Sequence, residues 1–170
     1  MRRIRYQVAM SLDGFIADEN DGYGWIPEEP DFDFQALFAQ FDTLLVGRRT
    51  FEQVPGMARD FVGKDVYVFS SSLQQADHPD VKIVGNDFVA ELQELKSRPG
   101  LDIWLYGGGE LFRSLLRAGL VDTVEPAVVP VMLGKGRRFL PETGGPITLV
   151  LEGHDVYPTG LTMLRYRIAY

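Results

Sequence analysis

A chain of 170 residues with a net charge of −7 and no cysteine is long enough for one sizeable core but has no disulfide framework, thiolate metal site or cysteine nucleophile. The acidic balance argues against a nucleic-acid partner, and the two histidines, His78 and His154, are too far apart in sequence to suggest a metal site. No run reaches the ~18 apolar residues of a membrane helix, and the arginines at 2, 3 and 5 are followed by alternation rather than an apolar block, so the expectation is a cytoplasmic protein with no membrane partner.

In chain order, residues 4–10 alternate (Ile4, Tyr6, Val8, Met10) and read as a strand. Residues 11–31 are rich in Asp, Glu, Gly and Pro and read as a long loop. Residues 33–41 have helical spacing (Phe34, Leu37, Phe38, Phe41). A short buried strand is expected over 43–46 and a helix from Thr50 to Val54. Residues 66–69 form a strand that ends at Ser70-Ser71-Ser72. Residues 81–84 form another, followed by a helix over 88–95 with Phe88, Leu92 and Leu95 on one face. The apolar run 103–106 is a strand and 110–118 a helix. After Gly119 three strands follow without helices (122–132, 147–156 and 161–170), and Pro126 and Pro130 suggest an edge or a bulge in the first. Strands alternating with helices imply βαβ units and a parallel sheet, with antiparallel strands at its C-terminal end, in one domain over 1–170.

Ligands of such sheets sit at the carboxyl ends of the strands. Those ends carry Met10-Ser11, Gly47-Arg48-Arg49-Thr50, Ser70-Ser71-Ser72 and Tyr106-Gly107-Gly108-Gly109. The triple glycine, followed by Glu110, lies between a strand and a helix. Glycines allow close backbone approach, and free N–H groups at a helix start favour an anion. It is not the dinucleotide fingerprint, because Phe112 stands where the third glycine belongs. Thr50 is a hydroxyl at a helix start, and Arg48 and Arg49 supply charge. A polyanion repelled by the chain as a whole needs such a local basic cluster. The other candidate cluster, Lys135, Arg137 and Arg138, reads as a phosphate loop or, in preference, as a solvated hairpin tip. The acidic stretch Asp18-Glu19-Asn20-Asp21-Gly22 fails the calcium-loop register, since Ala17 occupies its first ligand position, and no phosphate-binding Gly-Lys loop is present.

The segments Ser11-Leu12-Asp13-Gly14-Phe15-Ile16-Ala17, Gly47-Arg48-Arg49-Thr50-Phe51-Glu52, Ser70-Ser71, Gly107-Gly108-Gly109-Glu110-Leu111 and Pro130-Val131-Met132-Leu133-Gly134 together resemble the dihydrofolate reductase superfamily. The branch they resemble most shares the C-terminal reductase domain of riboflavin biosynthesis. The resemblance implies a three-layer α/β/α fold with a mixed, mostly parallel sheet, a cis Gly107–Gly108 peptide, and NADPH as hydride donor. It implies that Ala9 and Ile16 lie near the nicotinamide. Gly47, Arg48, Arg49 and Thr50 would meet the pyrophosphate and adenosine side, Ser70 and Ser71 the 2′-phosphate, and Gly108, Gly109, Glu110, Leu111 and Phe112 the pyrophosphate.

The substrate half matches neither parent. Counting back from Gly47 brings Asp31, with Asp33 close by, to the place of the acidic residue of dihydrofolate reductases, so one of them at most would serve protonation. Both also suit the start of the helix as caps. Trp25 falls near a tryptophan of those enzymes. Tyr106 stands where riboflavin reductases carry a substrate-binding glutamate, and their Asp-x-Pro-x-Leu segment is replaced by Glu52-Gln53-Val54-Pro55-Gly56. The expected activity is NADPH-dependent reduction of a pterin- or pyrimidine-type heterocycle, with 5-amino-6-(5-phosphoribosylamino)uracil reductase as the closest named reaction. Dihydrofolate reduction, or a non-catalytic NADPH-binding role, is the alternative. The expected partner is a small-molecule substrate, with no resident metal and homodimerisation left open.

Overall fold

The computed structural model describes residues 1–170. The β-strand β1 (Ile4–Ser11) sits near the middle of an eight-stranded sheet with β3 (Phe41–Gly47), β4 (Asp65–Phe69), β5 (Lys82–Val84), β6 (Asp102–Gly107), β7 (Thr123–Val129), β9 (Leu149–Val156) and β10 (Thr162–Ile168). Its order is β5-β4-β3-β6-β1-β7-β10-β9. The pairings from β5 through β7 are all parallel, and those of β7 with β10 and β10 with β9 are antiparallel. Two further strands, β2 (Phe15–Ala17) and β8 (Arg137–Arg138), pair with each other apart from the main sheet.

Apolar residues on both faces of the parallel strands demand cover on both sides. One face packs α4 (Phe88–Ser97) and α5 (Gly109–Arg117) through Leu92, Leu95, Phe112 and Leu115 onto Ile4, Tyr6 and Leu105. The other packs α1 (Phe34–Phe38), α3 (Met57–Asp60) and the loops around them through Leu37, Met57 and Phe61 onto Leu44, Val46 and Trp104. The short helix α2 (Arg48–Gln53) follows β3 directly and has no buried residue. The result is the three-layer α/β/α arrangement, with the antiparallel pair at the C-terminal edge.

Four local expectations change. The helix expected over 33–41 stops at Phe38, because Phe41 already belongs to β3, aligned with Asp102 of β6. The loop 11–31 contains β2, a strand too short to show a period. The segment Lys135–Arg138 is not a free tip, since its arginines pair with β2. β7 lies between β1 and β10 and is not an edge. The irregularity is real all the same. Pro126 has no N–H to donate, the β7–β10 alignment lapses around it, and β10 shifts register between Arg165 and Tyr166 on its other side.

Candidate active site

The carboxyl ends of β3, β4 and β6 open into a cavity of about 870 Å³. Its middle is the turn from β6 into α5. Gly107 has φ +153°, open to glycine and rarely to other residues, and the Gly107–Gly108 peptide is cis. Gly108 is the N-cap of α5 and offers no side-chain cap, and the first helical bond runs from the Phe112 N–H to the Gly108 carbonyl. The N–H groups of Gly109, Glu110 and Leu111 therefore have no partner within the helix, and all three residues line the cavity. A Cβ on Gly109 would stand 2.7 Å from the Arg138 carbonyl oxygen. Glycine at this position is what lets β8 close over the start of α5.

On one side of this turn stands α2. Gly47 is its N-cap, so Thr50 sits inside the first turn rather than at the cap. Arg48 is held, with its Nε donating to Glu52 Oε1 at 2.7 Å and its Nη1 to Ser72 Oγ at 2.6 Å. Arg49 is exposed and makes neither an ion pair nor a side-chain hydrogen bond. Ser70 Oγ accepts from the N–H groups of Ser72 and Leu73, whereas the Ser71 hydroxyl is uncommitted and exposed. On the other side stand Ile16 of β2 and the two arginines of β8. Arg137 pairs with Asp21 at 2.6 Å, and Arg138 lies over the Phe15 ring at 5.3 Å. The Asp21 carboxyl is held below its ordinary range, first by the Arg137 hydrogen bond and then by the charges of Arg137 and Arg49.

Five arginines and three carboxylates line this cavity. A chain of net charge −7 thus presents a locally positive surface beside unpaired helix-start N–H groups and free hydroxyls. That donor set fits a phosphorylated dinucleotide. It would meet the pyrophosphate with Gly109–Leu111 and a further phosphate with Arg49, Ser71 and the Arg48–Ser72 pair.

Most of the cofactor-side residues expected from the sequence meet here: Ile16, Gly47, Arg48, Arg49, Thr50, Ser70, Ser71 and Gly108 through Leu111. Phe112 does not. It is 1% exposed and stacks on Tyr6 in the core, because one step past Leu111 the helical period turns it inward. Ala9 also stays outside the cavity, on β1 opposite Ala127. Of the substrate-side residues, Trp25 donates its indole N–H to the Gly22 carbonyl at 3.2 Å and Tyr106 packs edge-on against Trp104 and Phe61; neither lines the cavity. Burial raises the Tyr106 hydroxyl above the ordinary tyrosine value, with Tyr23 and Asp60 adding to the effect, so at neutral pH it is a donor.

Asp31 and Asp33 lie elsewhere. Neither lines the cavity at the glycine turn. Asp33 caps α1, its Oδ1 accepting from the Ala36 N–H at 2.8 Å, and both aspartates line a different, smaller cavity under α1. Sequence reasoning missed Asp21, Tyr23, Gln53 and Arg113 as lining residues, and favoured a hairpin tip over a phosphate loop for the β8 arginines. Only the basic pair at 137–138 carried a signal, and its pairing with β2 is a long-range contact that local pattern does not reveal.

Residues 2–163 match the model of the RibD C-terminal domain family. The uncharacterized protein YyaP of Bacillus subtilis (strain 168) is 30% identical over 97% of this chain and 94% of its own length. Among solved structures, a Shewanella sp. PV-4 protein provisionally described as a riboflavin biosynthesis protein superposes with TM-score 0.84 at 25% identity, covering 99% of both chains. Dihydrofolate reductase from Enterococcus faecalis, in complex with NADP(H), superposes with TM-score 0.68 at 19% identity, covering 99% of this chain and 97% of that one, and so shares the fold.

Proposed function

The chain belongs to the RibD C-terminal domain family, and from that premise we propose that it is an NADPH-dependent reductase of a planar nitrogen heterocycle of pterin or pyrimidine type. The observation that carries this reading is the locally basic cavity built on the glycine turn at the strand ends. When bound, NADPH supplies the hydride. The chain's own part is to hold the pyrophosphate on the N–H groups of Gly109, Glu110 and Leu111 and on Thr50. Arg49 and Ser71 hold the 2′-phosphate, with Arg48 fixed beside them by Glu52 and Ser72. Ile16 and Ala9 flank the nicotinamide. Tyr106, kept protonated by burial, donates a hydrogen bond to the substrate, and Trp25 shields it. One carboxylate at most, Asp31 or Asp33 on the wall of the cavity under α1, or a water delivers the proton. The named reaction nearest to this reading is 5-amino-6-(5-phosphoribosylamino)uracil reduction.

The test is titration with NADPH followed by its oxidation in the presence of riboflavin-pathway pyrimidines, pterins and dihydrofolate. Turnover with a pyrimidine or pterin is expected. Tight binding with no turnover on any of them would replace this reading with a non-catalytic NADPH-binding role. Turnover on dihydrofolate alone would make the protein a dihydrofolate reductase.

A further inference from the structure

The antiparallel end of the sheet has two unlike faces. Ile168 of β10 stands opposite Leu149 of β9, Tyr166 opposite Leu151, Leu164 opposite His154 and Thr162 opposite Val156. Residues opposite one another in a sheet share a face. Ile168 packs into the core beneath α4 and α5, so this whole set looks to the α5 side. The other set looks to the α1 side, with Arg167 opposite Val150, Arg165 opposite Gly153 and Met163 opposite Asp155.

Charge is sorted between these faces. Every Asp, Glu and Arg of β7, β9 and β10 lies on the α1 side, and each is paired there. Glu125 pairs with Arg5, Asp155 with Arg165, and Glu152 with Arg167 and Arg3 at 3.5 and 3.7 Å. On the α5 side β9 presents Leu149, Leu151 and Val156, which are 40%, 53% and 68% exposed, with His154 among them. An antiparallel sheet that is wet on one face keeps its apolar residues on the other, against a core. In β9 the apolar face is the uncovered one, while the charges of the opposite face satisfy one another. That is the pattern of a strand whose cover comes from another molecule.

The cover must be flat, apolar and uncharged. A nucleic acid or an anionic membrane needs basic residues, and these three strands offer none on that side. A charged protein surface would find no counter-charge. A second copy of this chain presents the same neutral face. Two chains of net charge −7 repel one another over most of their surface, and here no carboxylate of the three strands opposes their approach. Joining edge to edge is blocked, because the register shift beside Arg165 bends β9 and the charged Glu152 sits at the bend. Packing face to face remains, with the two sheets ~10 Å apart. Three strands the length of β9 span about 26 by 14 Å. That is the scale of the apolar centre of a standard interface of about 800 Å² per partner.

We propose that the α5-side face of β9 and β10 is the interface of a twofold homodimer, in which Leu149, Leu151, Leu164 and Tyr166 pack against the same face of a second copy. None of these four lines the cavity at the glycine turn, so the proposal stands apart from the reductase reading.

The test sets one face of β9 against the other. Leu151→Asp places a carboxylate on each side of the twofold contact. Val150→Asp places the same charge on the same strand, looking the other way. Both residues are about half exposed, at 53% and 41%, so both variants should fold. Sedimentation equilibrium over a dilution series is expected to give a dimer for the wild type and for Val150→Asp. For Leu151→Asp the dissociation constant should rise by roughly a hundredfold or more, since two unpaired charges are buried at once. Should Leu151→Asp not fold, the wild type decides alone: on dilution the methyl resonances of Leu149, Leu151 and Leu164 should move as the mass falls, and those of Val150 should stay. A dimer that Leu151→Asp leaves intact, equal weakening by both variants, or dilution shifts confined to other residues would overturn the proposal. So would a wild-type protein that is monomeric throughout the micromolar range, which would leave this face to an unlike partner.

Discussion

The two cavities of this protein are built from opposite materials. The larger one is made of strand ends and helix starts. Its donors are backbone N–H groups, exposed arginines and serine hydroxyls, supplied by short local segments. The smaller one is made of side chains from the middle of β1 and β7, buried and paired across 120 residues of sequence. The first tolerates water and needs little from the core. In the second, every polar group left alone is a liability. The difference teaches that the larger cavity belongs to backbone geometry and the smaller one to strand register. It also predicts that substitutions in the two cavities fail differently, the small one through stability and the large one through affinity.

The largest effect is expected at the Arg5–Glu125 pair, whose side chains are 9% and 3% exposed. Glu125→Ala leaves the guanidinium buried with only Gln40 and the more distant Asp102 as partners. A broken buried pair typically costs about 3–5 kcal/mol, whereas replacing both partners by apolar residues is often neutral. Denaturant unfolding of Glu125→Ala and of the double variant Arg5→Met/Glu125→Leu checks this. A loss below about 1 kcal/mol in the single variant would place the pair with surface ion pairs and erase the contrast.

Gly109→Ala comes next and acts on the larger cavity. The new Cβ would meet the Arg138 and Phe139 carbonyl oxygens at 2.7 and 3.1 Å. Neither oxygen belongs to a flexible side chain, so β8 must move off the start of α5, at a cost of about 1–3 kcal/mol. Because the same movement opens the cavity, NADPH affinity should fall along with the melting temperature. Unchanged NADPH titration in a destabilised variant would mean that β8 plays no part in holding the cofactor.

Smaller still is cofactor choice. NADPH exceeds NADH by one phosphate, and the groups assigned to it are charge-assisted donors. A preference of at least tenfold, about 1.4 kcal/mol, is expected, weakening with added salt. Arg49→Ala should narrow it more than Arg48→Ala, since Arg48 is already committed to Glu52 and Ser72. Titration of both cofactors against both variants tests this. Equal losses for NADPH and NADH would remove Arg49 from the 2′-phosphate.

The same division explains what was legible in the sequence. The parallel order, the carboxyl-end location and the glycine turn all rest on local signals: apolar runs, a Gly-Gly-Gly, a Gly-Arg-Arg-Thr. These led to Ile16, Gly47 through Thr50, Ser70, Ser71 and Gly108 through Leu111, which the fold brings together. Phe112 was misplaced because motif likeness ignored the helical period. Asp31 and Asp33 reach the cavity under α1 rather than the glycine turn, and counting along a loop of different length does not say which of the two a residue reaches. The buried Arg5–Glu125 pair carried no signal at all. In an alternating strand Arg5 looks like an outward residue, and its pairing with Glu125 is a contact across 120 residues.

The smallest expected effect is a dependence on pH at the link between the first loop and the turn after β7. Asp13 lies in that loop. Its carboxylate accepts from the Ser11 hydroxyl at 2.6 Å and from the Leu133 and Gly134 N–H groups at 3.0 and 2.7 Å. The Ser11 hydrogen bond, opposed by desolvation and aided by the two backbone donors, holds its pKa at about 2 against an ordinary 3.8. The folded value is thus below the unfolded one. The sign follows: the unfolded chain binds the proton first, so the contribution of Asp13 is complete above about pH 4 and is lost as pH falls through about 2. Asp13→Asn keeps one acceptor oxygen but loses the charge, so the variant should lack this share of the acid decline. Unfolding curves of wild type and variant should be separated at neutral pH and converge toward pH 2. Because the group is near the surface, the separation should be modest and should shrink with salt. Curves that stay parallel from pH 7 to pH 2 would show that the carboxylate charge is not what ties the loop to the turn.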